Sequence, residues 1–297
     1  MKKKFRIELK SAPDFTFFSA HLDEGFDPFE RDGYDAELDD HYQSTSLPGV
    51  VSAIPADIPI VPVIASTNPI FPKFIRILEI QDKQMINLIM KNVELRLPYA
   101  GVFTRYDDSN ESSVIDSPAE IYETGTLIHI QEAMPVGDHL RLLVQGVRRI
   151  SFNGENVERN QRSREEGEDS ILYGNVSNIK ELYETNNNTK ALCAEIIQSC
   201  RDLIQINQLY RESVHQILSQ GVRVVDDGSF LSDFCGALSS SDTDEKMKVL
   251  AETDVEKRLA LGLELIKKEH QRSKLQRDIG KKVEDKIKKG DHSYILA

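Results

Sequence analysis

The periodicity of apolar residues changes once along this chain, near Glu181, and that change constrains the fold more than any other feature. Before it, apolar residues come in short runs of branched and aromatic side chains, IPIVPVIA, FIRILEI and YAGVFTRY, bounded by Pro, Asn and Asp, as strands require. After it, Leu192, Ile196, Ile197, Cys200, Leu203 and Ile204 fall on one face of a helix. Strands followed by helices predict an α+β fold, with a β domain ahead of an all-α bundle.

Within the β half, one helix is expected from about Asp82 to Lys91, where Met85, Ile86, Leu88 and Ile89 form an apolar stripe. TLIHIQEAMPVGDHLRLLVQGVRRI reads as two antiparallel strands joined at Val136-Gly137-Asp138, and Gly146 within the second predicts a bend or bulge. The polar, charged segment at about 153–170 reads as a loop inserted before a last strand, ILYGNVSNI. In the helical half, further helices are expected at Leu209 to Gln220 (stopping at Gly221), around Phe230 to Leu238, and in SDTDEKMKVLAE. Thr253-Asp-Val-Glu256 then predicts a capping box opening a long helix that runs from Val255 to about Lys289 without proline. Its early part is rich in leucine. Its late part carries only Leu275, Ile279, Val283 and Ile287, a stripe too narrow for a globular core and suited to a strut or a partner helix.

At 297 residues with 39% apolar content, the chain can bury one full core and more readily two. A formal charge of −12 makes nucleic acid an unfavoured partner, because phosphate binding needs a cationic face. No apolar run is long enough to span a bilayer, and MKKKFRIELKSAPDF lacks the apolar core of a secretory signal, so a reducing interior is expected. Cys193 and Cys200, seven apart on a helical pattern, lie too far from each other for a disulfide, and Cys235 has no CxxC partner; all three read as thiols. Without a signal, the glycosylation patterns at Asn110, Asn175 and Asn187 carry no weight.

Catalytic motifs are missing from the sequence. There is no GxxxxGK[ST] loop to cradle phosphates, and no GxSxG, HExxH or GxGxxG. The seven histidines lack ligand spacing; His129 reads as a sheet residue, and Asp39-Asp40-His41 and Asp107-Asp108 as turns.

Several blocks, in order, carry a resemblance. PVIASTNPIFPKFIRILEI, LPYAGVFTRYDDSNES, EIYETGTLIHIQEAMPVGDHLRLLVQGVRRI, LYRESVHQIL, LSDFCGALSS and KKEHQRSKLQRDIGKKVEDKIKKGDHSYIL together resemble the amino-terminal region of the mitochondrial ATP-dependent Lon protease family, from about Leu47 onward. The resemblance implies a PUA-like antiparallel β domain with one or two helices, a helical bundle and a long helix. It divides the chain into an acidic, poorly ordered arm (1–55), a LON-type β domain (56–182), a bundle (183–254) and a long helix (255–297) leading towards an ATPase module. ATP, magnesium and the protease's Ser-Lys dyad would belong to modules outside this chain, so no catalytic, cofactor-binding or metal residue is assigned. The implied roles are recognition of unfolded or damaged polypeptides, assembly with itself or full-length Lon subunits (a hexamer in the family), and a mitochondrial matrix location, although the acidic start does not look like a transit peptide. A stand-alone LON-domain adaptor, resembling cereblon in fold alone, is the alternative. For client capture the sequence nominates Ile70, Phe71 and Pro72 in the Pro-rich turn, as apolar side chains left partly exposed, with core or turn geometry as the other reading and the favoured one for Phe71. For assembly it nominates Leu275, Ile279, Val283 and Ile287.

Overall fold

The computed structural model describes residues 55–155, 170–207, 210–214 and 227–295. The arm before Pro55, the charged insertion and the helix expected at Leu209 to Gln220 beyond Val214 lie outside them.

Six strands form one mixed sheet: β1 (Ile60–Ser66), β2 (Ile75–Ile80), β3 (Tyr99–Arg105), β4 (Ile121–Val136), β5 (His139–Glu155) and β6 (Tyr173–Asn178). Helix α1 (Lys83–Glu94) lies between β2 and β3. The order is β2-β5-β4-β3-β1-β6, and β6 pairs again with β5. That second pairing closes a five-stranded ring, because β5 is long enough to bond β2 with its first half and β6 with its second. One expectation is corrected here. The sheet is not wholly antiparallel, since β1 and β3 run parallel, Val63 opposite Gly101 and Ser66 opposite Thr104. A parallel pair needs a crossover of a dozen or more residues; β2 and α1 supply it.

β1 is a continuous apolar run because both its faces are covered. Val61, Val63 and Ala65 pack with Phe103, Leu127 and Ile150, while Ile64 packs on the other side with Met85 and Ile89 of α1. β4 and β5 meet in a two-residue turn, Val136 opposite His139, with Gly137 at φ 65°. Glycine is favoured there because a side chain at positive φ clashes with the backbone. The register slips between Leu127 and Ile128, leaving Val147 as an extra residue beside Gly146. A side chain at Gly146 would sit 2.3 Å from the Phe71 carbonyl oxygen. The Phe71–Phe74 turn instead bonds directly to this bend: the Lys73 N–H donates to the Gly146 carbonyl (2.7 Å), and the Gly146 N–H donates to the Phe74 carbonyl (2.9 Å).

Among the described residues, the second lobe comprises α2 (Asn187–Ile206), α3 (Gly228–Leu238), α4 (Thr243–Ala251) and α5 (Val255–Ile295), with residues 210–214 also helical. Asn186 and Thr189 cap α2 reciprocally, each side chain accepting the other's N–H. α3 is buried on every side, so its sequence shows no polar stripe. The box expected at Thr253 and Glu256 does not form. Asp254 caps α5 by accepting from the Glu256 N–H (3.0 Å), and the Glu256 carboxylate accepts from Asn186 and Asn188 at the start of α2. Tertiary contact displaces the cap by one residue, since Leu182 pairs its backbone with Thr253 and Val255 across the chain entry. α5 extends about 60 Å at 1.5 Å per residue, far past the lobe it packs on.

Candidate functional site

Ile70, Phe71 and Pro72 do not form the exposed contact that the sequence nominates. All three are buried. Ile70 belongs to the β core, and its carbonyl accepts from the Thr126 hydroxyl (2.5 Å). Phe71 crosses out of its own lobe and enters the helical core with Phe230, Phe234 and Leu259. Gly236 explains how: a Cβ there would lie 2.4 Å from the Phe71 ring, so glycine is retained inside a helix despite its weak propensity. Pro-rich turns often lie at surfaces, but this one is the plug between two lobes.

Beside the plug lies a cleft of about 360 Å³, lined in part by Pro72, Lys73, Arg149, Glu181, Asp227 and Asp233. Its charged groups are engaged with one another. Arg149, on β5 and fully buried, reaches Glu181 (2.6 Å), the Leu250 carbonyl (2.8 Å) and both oxygens of Asp233 on α3. Arg258, on α5 and equally buried, donates to Ser232 (2.9 Å), Ser229 (2.8 Å) and Glu181 (3.2 Å). Burial raises the Asp233 carboxyl, and the two guanidiniums offset part of that rise. For Glu181 burial also raises the carboxyl, but the bonds from Arg258 and Ser229 and the charge of Arg149 outweigh it and hold the group below its ordinary value. Lys73 adds an ion pair to Asp227 across the same joint (2.6 Å). Three cations and three carboxylates matched in this way hold the lobes together.

The remaining chemistry-bearing residues are also structural. Burial lowers the half-buried His129 imidazole and pushes the Cys200 thiol up to about 12, which leaves both neutral near pH 7. Asp107 accepts from the Ser109 N–H in a local turn, as its sequence context predicts. Among the described residues, no group of three or more His, Cys, Asp or Glu could hold a metal ion, and no helix is long and apolar enough to cross a membrane.

What the β lobe does expose is an apolar face. On β2, β5 and β4, the cross-strand rows Ile77-Leu143-Glu132 and Glu79-Arg141-Met134 point one way, because directly paired residues share a face. Ile77 is 46% exposed, Met134 39% and Val136 40%. The opposite face, Leu78, Ile80, Leu140, Leu142 and Val144, packs under α1. The signal was present in the sequence: FIRILEI has apolar residues at both parities, more than a strand with one wet face needs.

The model of the ATP-dependent protease La (LON) substrate-binding domain matches residues 59–268 of this chain. The chain belongs to that family. The LON match takes in both lobes and stops on α5 before Leu275. The mitochondrial Lon protease homologs of Bos taurus and Homo sapiens are each 39% identical over 280 residues, covering 82% of this chain and 29% of their own length. The chain thus spans under a third of these curated relatives. The N-terminal domain of the Mycobacterium avium complex Lon protease is similar in fold, at 20% identity and a TM-score of 0.50, covering 70% of this chain and 98% of that one. In this LON chain, Leu275, Ile279, Val283 and Ile287 of α5 are 50–61% exposed, without apolar cover from the described residues.

Proposed function

We propose that this chain is the substrate-recognition region of a mitochondrial Lon-type ATP-dependent serine protease, and that it receives unfolded or damaged polypeptides on the open face of β2, β5 and β4. The observation that carries this reading is Ile77, Met134 and Val136 standing exposed on the sheet of a LON substrate-binding domain. An unfolded client offers apolar side chains and no fixed sequence, and an apolar patch on a rigid sheet is the complementary surface. The names of the relatives support the mitochondrial compartment, with the matrix as the place where damaged polypeptides would be met, and the exposed stripe of α5 supports assembly with further copies or with full-length subunits in a hexamer.

Ile77→Asn with Met134→Gln tests the face. If each apolar side chain supplies about 1 kcal/mol of the binding energy, the double variant should bind a labelled, reduced and alkylated client protein roughly tenfold or more weakly. The melting temperature should stay within about 2 °C, because neither side chain belongs to a core. Unchanged affinity in fluorescence anisotropy would move the binding surface elsewhere.

A further inference from the structure

The apolar face ends at an open strand edge. β2 pairs with β5 on one side, and among the described residues nothing pairs with its other side. Register identifies which groups that edge presents. Val136 and His139 close a two-residue hairpin, so His139, Arg141 and Leu143 bond towards β4, and Leu140, Leu142 and Val144 bond towards β2. The Gly146 N–H, which donates to the Phe74 carbonyl, keeps the same alternation. Their β2 partners Ile80, Leu78 and Arg76 are therefore used, while the N–H and C=O groups of Ile75, Ile77 and Glu79 point outward. These three residues also carry their side chains on the apolar face. The charges on this face are partly matched: Arg141 donates to the Glu79 carboxylate (2.8 Å) beside the apolar side chains.

We infer that the free edge of β2 captures client polypeptide by strand addition, and that it favours extended segments with an apolar residue at every second position. This rests on the reading of the chain as a substrate-recognition region. Main-chain bonds to Ile75, Ile77 and Glu79 recognise any extended backbone, as a receptor for unfolded chains requires, and the flanking side chains select among segments. Every second side chain of the added strand lies beside Ile77 on the apolar face, and those in between point to the opposite face. Long open edges normally invite aggregation; a six-residue edge holding one carboxylate is short enough to stay open and long enough to hold a client.

The test uses the full chain and capped, fluorescein-labelled nonapeptides alternating leucine or valine with lysine. Two isomers are N-methylated, one at the apolar positions and the other at the lysines. In an extended strand alternate N–H groups point to opposite edges, so strand addition predicts that one isomer binds at least about tenfold more weakly and the other binds as the parent does. Loss with methylation at the apolar positions means antiparallel addition; loss with methylation at the lysines means parallel addition. Equal affinity of both isomers, or equal loss, overturns strand addition even where the denatured client still binds, and that result would leave the broader reading standing. Replacing the apolar residues of the peptide by serine should weaken binding several-fold; unchanged affinity overturns selection by the apolar face. Ile77→Pro removes one outward N–H at an edge position that tolerates proline, and should abolish peptide binding while Ile77→Val retains it. If the chain alone is a dimer by sedimentation velocity and Ile77→Pro makes it monomeric, the edge belongs to a second copy and the proposal falls.

Discussion

Phe71 shows how far one side chain's role depends on where the backbone sends it. It is held by the β lobe through the bonds between its turn and Gly146, yet its ring lies in the helical core against Gly236. Truncating a buried phenylalanine typically costs about 3–5 kcal/mol, from lost transfer energy and the cavity left behind. Phe71→Ala should therefore lower stability by roughly that amount in urea unfolding. Client affinity of the molecules that remain folded should be unchanged. A variant with parental stability and weakened client binding would restore the surface role that the Pro-rich context suggests. Gly236→Ala offers an independent check at the other side of the same contact: alanine improves helix propensity by about 1 kcal/mol, and a net loss of stability would mean that displacement of the ring outweighs it.

Among the elements, α5 combines two different helices in one. Val255, Leu259, Leu265 and Ile266 are buried against the bundle, whereas the stretch carrying Leu275, Ile279, Val283 and Ile287 has left it. Four exposed branched side chains forgo about 1.5 kcal/mol or more each relative to burial, and the assembly proposed above would recover that energy by covering them. Ile279→Lys with Val283→Lys should abolish concentration-dependent association in sedimentation equilibrium and leave the unfolding midpoint of the lobes in place. Association equal to that of the parent would clear the stripe of any role in assembly. β2 is the other element with unused capacity, and there the open groups are backbone rather than side chain.

For the whole molecule, the decisive feature is the ionic joint between lobes. Arg149 comes from the barrel, Asp233 and Arg258 from the helices, and Glu181 from the segment that connects them. Glu181 has a depressed folded-state value, so its contribution is fully present above its ordinary value of 4.5 and is lost as pH falls through the lower folded value. Glu181→Gln should accordingly be less stable than the parent at pH 6, and the difference between their urea midpoints should shrink as the pH falls below about 4.5. A gap that holds constant down to pH 3 would mean that the charge of Glu181 is not what holds the joint. The carboxyl of Asp233, raised by burial, is common to both proteins and affects the comparison only through its coupling to Glu181.

The elements were legible in the sequence because they follow from local rules. Period two gave the strands, period 3.6 the helices of the second lobe, Gly137 the hairpin turn and Gly146 the bend, each through backbone sterics or side-chain direction that neighbouring residues alone decide. The exposure of Leu275, Ile279, Val283 and Ile287 was legible for the same reason, since a stripe of that width cannot be buried in a core. What required the tertiary structure was anything depending on contacts between distant segments. These include the parallel pairing of β1 with β3, the cap at Asp254 in place of a box at Thr253, and the burial of Ile70, Phe71 and Pro72 between lobes. They also include the convergence of Arg149, Glu181, Asp233 and Arg258 from four places in the chain. Local sequence determines which face of an element is apolar; only the packing of the whole chain decides which of those faces stays exposed.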